Sequence, residues 1–156
     1  MPDSSRPFIT CHVLDTVAGK PGPGIAVRLR LLSPFPSSPD APAAQSPETF
    51  VWSATTNSDG RVTGWEPSPC SSSAAERTEL NDVVAQLKKQ PTEEKREEEE
   101  EQMLFSLTFE TEKYYGKGKT FWPEVELRFA AKKEGEEHYH VPLLLGPWSY
   151  TTYRGS

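Results

Sequence analysis

The chain has 156 residues, of which 35% are hydrophobic and 26% charged, and it contains 15 prolines and two cysteines. These values are typical of one soluble domain with added loops, and no window approaches the roughly 18 consecutive apolar residues that a membrane-spanning helix requires. The N-terminal residues lack the apolar segment of a secretory signal, which predicts an intracellular, reducing compartment. We therefore expect Cys11 and Cys70 to be free thiols.

Negative charge is concentrated in one segment. The formal net charge is −6, and residues 93–101 (EEKREEEEE) carry a local balance of −5. The rest of the chain is nearly neutral, which argues against a nucleic-acid-binding surface and against a polybasic membrane anchor. The glutamate run is compatible with a solvated stretch or with an acidic segment that binds a partner.

Two stretches of unusual composition predict insertions into a single domain that spans residues 1–156. Residues 33–48 contain five prolines and no hydrophobic period, which predicts an exposed loop of extended character. Residues 66–102 begin with a segment rich in proline and serine and end in the glutamate run. We expect both insertions to leave the main body of the domain intact.

The second insertion contains a helical pattern. Ser73 and Glu76 match a capping box, and Pro91 stops the pattern. Between them, four apolar residues recur at the spacing of one helical face: Leu80, Val83, Val84 and Leu87. The spacing predicts a short amphipathic helix.

The remaining sequence consists of short β-rich runs between turn sequences such as GKPGPG and NSDGR. Seven strands are predicted: Ile9–Asp15, Ile25–Leu32, Phe50–Thr55, Leu104–Phe109, Val125–Ala131, His138–Leu145 and Trp148–Tyr153. One short helix is predicted at Glu112–Tyr115. Seven or eight strands separated by turns predict an all-β antiparallel β-sandwich. Because such a sandwich buries a limited core, we expect another subunit to complete its apolar faces.

All three histidines lie in predicted strands, His12 in the first and both His138 and His140 in the sixth. Because residues two apart in a strand share a face, His138 and His140 project to the same side. Two imidazoles on one face are compatible with a metal half-site, an acid/base site or a plain polar surface. A metal site needs three or four protein ligands, and His12 is the only plausible addition, which weakens that alternative.

An arginine and the C-terminus also stand out. Asp59 and Gly60 supply the geometry of a tight turn, whereas the turn does not explain Arg61. Its guanidinium could bind an anionic substrate or simply lie on the surface. The last four residues, 153–156, combine a phenol, a guanidinium, a hydroxyl and the terminal carboxylate directly after a strand.

Four stretches resemble the 5-hydroxyisourate hydrolases, the transthyretin-related enzymes of purine degradation. They are ITCHVLDTVAGKPGPGIAVRL, TTNSDGRV, FSLTFETEKYYGKGKTFWPEVELRF and HYHVPLLLGPWSYTTYRGS. The match follows nearly all of the strand framework in order, and the YRGS ending is highly specific. The sequence departs from the family in its two long insertions and at Gly146, where the family often has serine.

The resemblance implies a transthyretin-like β-sandwich that assembles as a homotetramer, a dimer of dimers with active sites in the channel where dimers meet. It implies hydrolysis of a purine-derived small molecule, 5-hydroxyisourate, to 2-oxo-4-hydroxy-4-carboxy-5-ureidoimidazoline on the route from urate to allantoin. The reaction of the family uses neither a metal nor an organic cofactor.

By motif, the resemblance assigns catalytic roles to His12, Arg61 and His140. It assigns substrate binding to the terminal tetrapeptide: Tyr153, Arg154, Gly155 and Ser156. Opening a ring amide requires a base, a donor that stabilises the oxyanion and an acid, which two histidines and an arginine can supply. Either histidine could be the base, and His138 is expected to be peripheral.

Two other functions are compatible with the same fold. A transthyretin-like carrier would bind a small ligand without catalysis, but we would expect it to lack the two histidines, the turn arginine and the YRGS ending. A metal-binding module would use His12, His138 and His140. Because the sequence ends in RGS instead of an SKL-type signal, we expect a cytoplasmic location, with the peroxisome as the alternative.

Overall fold

The computed structural model describes residues 6–34, 50–68, 78–90, 101–135 and 138–155, which form ten strands and two helices. In chain order these are β1 (Ile9–Asp15), β2 (Lys20–Pro21), β3 (Ala26–Ser33), β4 (Val51–Thr55), β5 (Arg61–Val62), β6 (Glu66–Pro67), α1 (Leu80–Lys89), β7 (Gln102–Phe109), α2 (Thr111–Tyr115), β8 (Val125–Lys132), β9 (Tyr139–Leu145) and β10 (Tyr150–Thr152). Several predicted features lie outside the described residues: the proline-rich loop beyond residue 34, Cys70, the pair Ser73 and Glu76, residues 93–100 and Ser156.

Alternation of apolar and polar residues sets the two faces of β1 and β9. The odd-numbered side chains of β1 are buried, whereas Thr10, His12 and Leu14 lie half-buried on the opposite face. In β9, His140 and Leu144 are likewise half-buried, between buried neighbours. Because side chains alternate along a strand, both histidines project away from the core.

The first sheet has the order β10-β9-β1-β2, and β5 also pairs with β1. Every pair in it is antiparallel except β1 with β9, which run parallel in continuous register from Ile9 opposite Tyr139 to Asp15 opposite Leu145. This parallel pair is the one departure from the predicted antiparallel arrangement among the described strands. On the edge of β1 away from β9, β5 pairs with the middle of the strand and β2 pairs with its end.

The second sheet has the order β6-β4-β3-β7-β8 and is antiparallel throughout. Inward side chains of both sheets form one buried apolar cluster, in which Trp52, Phe105 and Phe109 are the largest fully buried side chains. Burying a side chain such as Phe105 contributes about 1.5–3 kcal/mol to folding. The predicted all-β sandwich is confirmed.

All seven predicted strands are present, with ends that differ from the prediction by at most two residues. The last strand is shorter than predicted because residues 146–149 form a turn, in which Gly146 donates its N–H to the carbonyl of Ser149 at 2.8 Å. Trp148 is therefore 68% exposed rather than part of a strand. The three two-residue strands β2, β5 and β6 were not predicted.

The predicted amphipathic helix is present as α1. Its N-cap residue Glu79 makes no side-chain capping hydrogen bond, so packing rather than capping stabilises it. Trp52 of β4 donates its indole N–H to the carbonyl of Thr78 at 2.9 Å, which ties the start of the helix to the core. The four residues of the predicted face are all buried: Leu80, Val83, Val84 and Leu87.

The second helix, α2, begins one residue before the predicted segment and ends at the same residue, Tyr115. Neither helix in the described ranges has the length and apolar character needed to cross a lipid bilayer.

We expect Leu87→Ala to lower the free energy of unfolding by about 2–5 kcal/mol, because Leu87 is fully buried and its truncation leaves a cavity between α1 and the core. The exposed neighbour Gln86 provides the matched control, and Gln86→Ala should change stability by less than about 0.5 kcal/mol. Urea unfolding at one fixed protein concentration measures both. Equal effects of the two substitutions would contradict the packing of α1 on the core.

Candidate functional site

The pairing of β1 with β9 and β5 brings four polar side chains together on the outer face of the first sheet. Thr10 lies opposite His140 in the parallel pair with β9, and His12 lies opposite Arg61 in the antiparallel pair with β5. The ring centroids of His12 and His140 are 6.4 Å apart, and their planes are inclined by 30°. The structure thus places the two histidines and the arginine that the sequence singled out at one location.

The position of Arg61 depends on the turn that precedes it. Asn57 accepts hydrogen bonds at its side-chain oxygen from the backbone N–H groups of Asp59 at 2.9 Å and Arg61 at 3.0 Å. Gly60 has a φ of +70°, and a Cβ added there would lie 2.4 Å from the carbonyl oxygen of Val13. Only glycine fits this approach, which allows the turn to dock on β1 and directs Arg61 towards His12.

His140 is held on two sides. Its Nδ1 lies 2.8 Å from the hydroxyl oxygen of Thr10. On the other side, Gly155 donates its backbone N–H to the carbonyl of His140 at 2.9 Å, and a Cβ on Gly155 would lie only 2.8 Å from Cδ2 of the ring. Thr10 was not among the predicted site residues, although its position two residues before His12 places it on the same strand face.

Burial and charge lower the pKa of both histidines. For His12, loss of solvent is the main cause and the positive charge of Arg61 adds to it, while Asp59 acts in the opposite direction. For His140, burial again comes first, followed by Arg61, His12, His138 and Arg6. Both imidazoles are therefore neutral at neutral pH and able to accept a proton.

Residues of the C-terminus lie beside His140 at the edge of the sandwich. Tyr153 and Arg154 line a cavity of about 250 Å³ together with His140 and residues of β8. The guanidinium of Arg154 lies 5.1 Å from the centre of the Tyr139 ring, and Tyr153 is 57% exposed. His140 thus links the group around His12 to Tyr153, Arg154 and Gly155.

Arg61 also borders a second cavity, of about 540 Å³, which the turn residue Asn57 shares. Residues of β3 and β4 line its other side, together with Glu110 after β7. Neither His12 nor His140 belongs to its described lining, so this cavity is separate from the one that His140 borders.

The three histidines do not form a metal-binding cluster. Both ring nitrogens of His138 have partners, since Nδ1 lies 2.7 Å from the carbonyl oxygen of Pro7 and Nε2 lies 3.0 Å from the hydroxyl of Thr10. No group of three or more His, Cys, Asp or Glu side chains among the described residues is arranged to hold a metal ion. The metal-binding alternative with His12, His138 and His140 therefore has no geometric support.

Cys11 is a free, buried cysteine, in agreement with the prediction. Burial raises the pKa of its thiol to about 12, although a backbone contact with Val62 acts in the opposite direction. A thiol in this environment stays protonated and does not act as a nucleophile.

The fold and the site define a class of protein: a two-sheet β-sandwich that carries two imidazoles and a guanidinium on the outer face of one sheet. The chain belongs to the HIUase/Transthyretin family, whose sequence model matches residues 9–155.

Similar proteins cover nearly the whole chain. A "Probable 5-hydroxyisourate hydrolase" of Schizosaccharomyces pombe is 33% identical over 157 residues, which span 99% of this chain and 96% of that protein. A 5-hydroxyisourate hydrolase of Mus musculus is 36% identical over 151 residues, which span 95% of this chain and 94% of that protein. The solved structure of Klebsiella pneumoniae 5-hydroxyisourate hydrolase has a TM-score of 0.51 at 21% identity and covers 95% of this chain and 98% of that one. This last similarity supports the fold.

We expect Arg61→Gln to raise the pKa of both His12 and His140, because the substitution removes a nearby positive charge that disfavours their protonated forms. An NMR titration of the histidine ring protons measures the shift. Lys113→Gln is the control, because it also removes a positive charge but Lys113 is not among the groups that shift the pKa of either histidine. The side chain of Lys113 is 80% exposed and ion-pairs with Glu110 at 2.6 Å. Unchanged titration midpoints in Arg61→Gln would contradict the placement of the guanidinium beside the histidines.

Proposed function

We propose that this protein is a 5-hydroxyisourate hydrolase that acts in the degradation of urate to allantoin. Water opens a ring amide of 5-hydroxyisourate and yields 2-oxo-4-hydroxy-4-carboxy-5-ureidoimidazoline. The observation that carries the proposal is the convergence of His12, His140 and Arg61 on one sheet face. Family membership and the names of the yeast and mouse relatives support the choice of substrate.

The proposed chemistry divides between the three side chains. One neutral histidine takes a proton from water as the water oxygen attacks the ring carbonyl carbon. The C–N bond of the ring then breaks, and the departing nitrogen receives a proton from an imidazolium. Arg61 stabilises the negative charge that develops on oxygen, since a guanidinium stays protonated throughout.

We assign substrate binding to the C-terminal residues Tyr153, Arg154, Gly155 and Ser156. The first two line the cavity that His140 also borders, and the backbone of Gly155 pairs with that of His140. The phenol and the guanidinium could therefore contact the end of a urate-like ring whose carbonyl faces the histidines. Ser156 enters the proposal through its sequence position alone.

The alternative of a carrier without catalysis fits the site less well. A pocket for an apolar ligand gains affinity from buried apolar surface, whereas this sheet face presents two imidazoles and a guanidinium. Groups of this kind are costly to desolvate unless they do chemistry or bind polar atoms.

We expect the purified protein to accelerate the decay of 5-hydroxyisourate, generated freshly from urate by urate oxidase and followed by its ultraviolet absorbance. His12→Ala and His140→Ala should each lower kcat by about 100-fold or more, the scale of general acid/base catalysis. The exposed helix position Gln86→Ala should leave turnover unchanged, and exhaustive chelation should do the same because the proposed chemistry uses no metal. Decay no faster than the spontaneous reaction would disprove the function.

We expect a homotetramer built as a dimer of dimers. The strands β8 and β10 end the described sheets, so each could pair with the same strand of a second copy, and Leu14 and Leu144 add apolar surface to the outer face. Light scattering should give four times the chain mass of 17.4 kDa. A monomer at micromolar concentration would contradict the assembly.

A cytoplasmic location, with peroxisomes as the alternative, is part of the same proposal and can be tested by imaging of the full chain.

A further inference from the structure

We propose that Thr10 and His138 are positioning residues that fix the tautomer of His140, with its proton on Nδ1 and a lone pair on Nε2. They belong to a chain of hydrogen bonds that begins at the carbonyl of Pro7. The inference rests on the proposed function, because it assigns His140 as the base of that reaction.

The direction of each hydrogen bond follows from the chemistry at one end. A carbonyl oxygen only accepts, so Nδ1 of His138, 2.7 Å from the oxygen of Pro7, must donate. A neutral imidazole has one N–H, which leaves Nε2 of His138 to accept a hydrogen bond from the hydroxyl of Thr10 at 3.0 Å.

The hydrogen bond between Thr10 and His140 also has a defined direction. The hydroxyl of Thr10 has a single hydrogen, which it gives to His138, so its oxygen accepts from Nδ1 of His140 at 2.8 Å. A neutral His140 then carries no proton on Nε2. When that nitrogen takes a proton from water, the hydrogen bond from Nδ1 to Thr10 stays as it was, so the chain does not have to rearrange during the reaction.

This pattern of hydrogen bonds requires a neutral His138, and the surroundings of His138 favour that form. Burial lowers the pKa of His138, and Arg6 adds to this effect, while the carbonyl of Pro7 opposes it. If His138 became protonated, both of its nitrogens would donate and the hydroxyl of Thr10 would have to turn towards His140. The proton of His140 would then be driven to Nε2, and the base would be lost.

The insertion helix α1 holds the first residue of the chain of hydrogen bonds in place. Asn81 accepts a hydrogen bond from the backbone N–H of Phe8 at 2.9 Å and donates one to the carbonyl of Arg6 at 3.1 Å. These two bonds bracket Pro7. Lys88 of the same helix lies over the Phe8 ring, 5.1 Å from its centre.

Four charged or titratable side chains from different parts of the fold affect the pKa of His140. Arg61 comes from β5, His12 from β1, His138 from the position just before β9 and Arg6 from the segment before β1. All of them lower the pKa of His140 when they are charged. A pH profile therefore reports on their combined effect, whereas the tautomer of His140 reports on Thr10 and His138 alone.

Thr10→Val and Thr10→Ser form the matched pair for a kinetic test. Valine keeps the branched shape without the hydroxyl and should lower kcat by about 10- to 100-fold with little change in KM, the scale known for hydrogen-bond partners that orient metal-binding imidazoles. Serine keeps the hydroxyl and should restore most of the loss. Activity of Thr10→Val equal to that of the wild type, or no rescue by serine in a folded protein, would overturn the proposal.

A second measurement does not depend on the substrate. NMR of protein labelled with ¹⁵N-histidine distinguishes protonation at Nδ1 from protonation at Nε2 at neutral pH. We expect His140 to be protonated at Nδ1 in the wild type and to lose this preference in Thr10→Val and in His138→Phe. Protonation at Nε2 in the wild type would overturn the proposal. A wild-type protein with the expected tautomer that fails to hydrolyse 5-hydroxyisourate would instead disprove the proposed function.

Discussion

The site depends on the parallel register between β1 and β9. Parallel strands need long connections, so these two come from opposite ends of the chain and bring Thr10 and His12 beside His140. Inward apolar pairs such as Cys11 with Val141 fix this register, because a slip of one residue would turn the imidazoles into the core. Burying such polar groups without partners costs several kcal/mol, roughly 2–7 by transfer measurements.

Alternation within a strand was sufficient to predict which face the histidines occupy. The odd-numbered residues of β1 are apolar or buried, so His12 has to project outwards, and the same holds for His140 in β9. Alternation does not say which strands are neighbours. The sequence marked Arg61 as unexplained by its turn, but its place opposite His12 depends on the close approach of Gly60 to the backbone of β1.

Other parts of the structure left no usable pattern in the sequence. The parallel pair was missed because turn signals favour hairpins and do not report a connection between distant strands. Two-residue strands such as β5 are too short to show a period. Thr10 was not predicted, because a hydroxyl in a strand is ordinary on its own, and His138 was expected to be peripheral. The importance of both residues lies in hydrogen bonds between elements, which the sequence does not show.

Because α1 holds the segment before β1 in place, the insertion should affect how activity changes with temperature. A helix of ten residues is marginal by itself and is sustained by the four side chains it buries. Local opening of such a helix requires less free energy than opening of the sheets. Warming would therefore break the hydrogen bonds of Asn81 to Phe8 and Arg6 first, and the carbonyl of Pro7 would no longer be held in position. Turnover would then decline in a molecule whose two sheets are still intact.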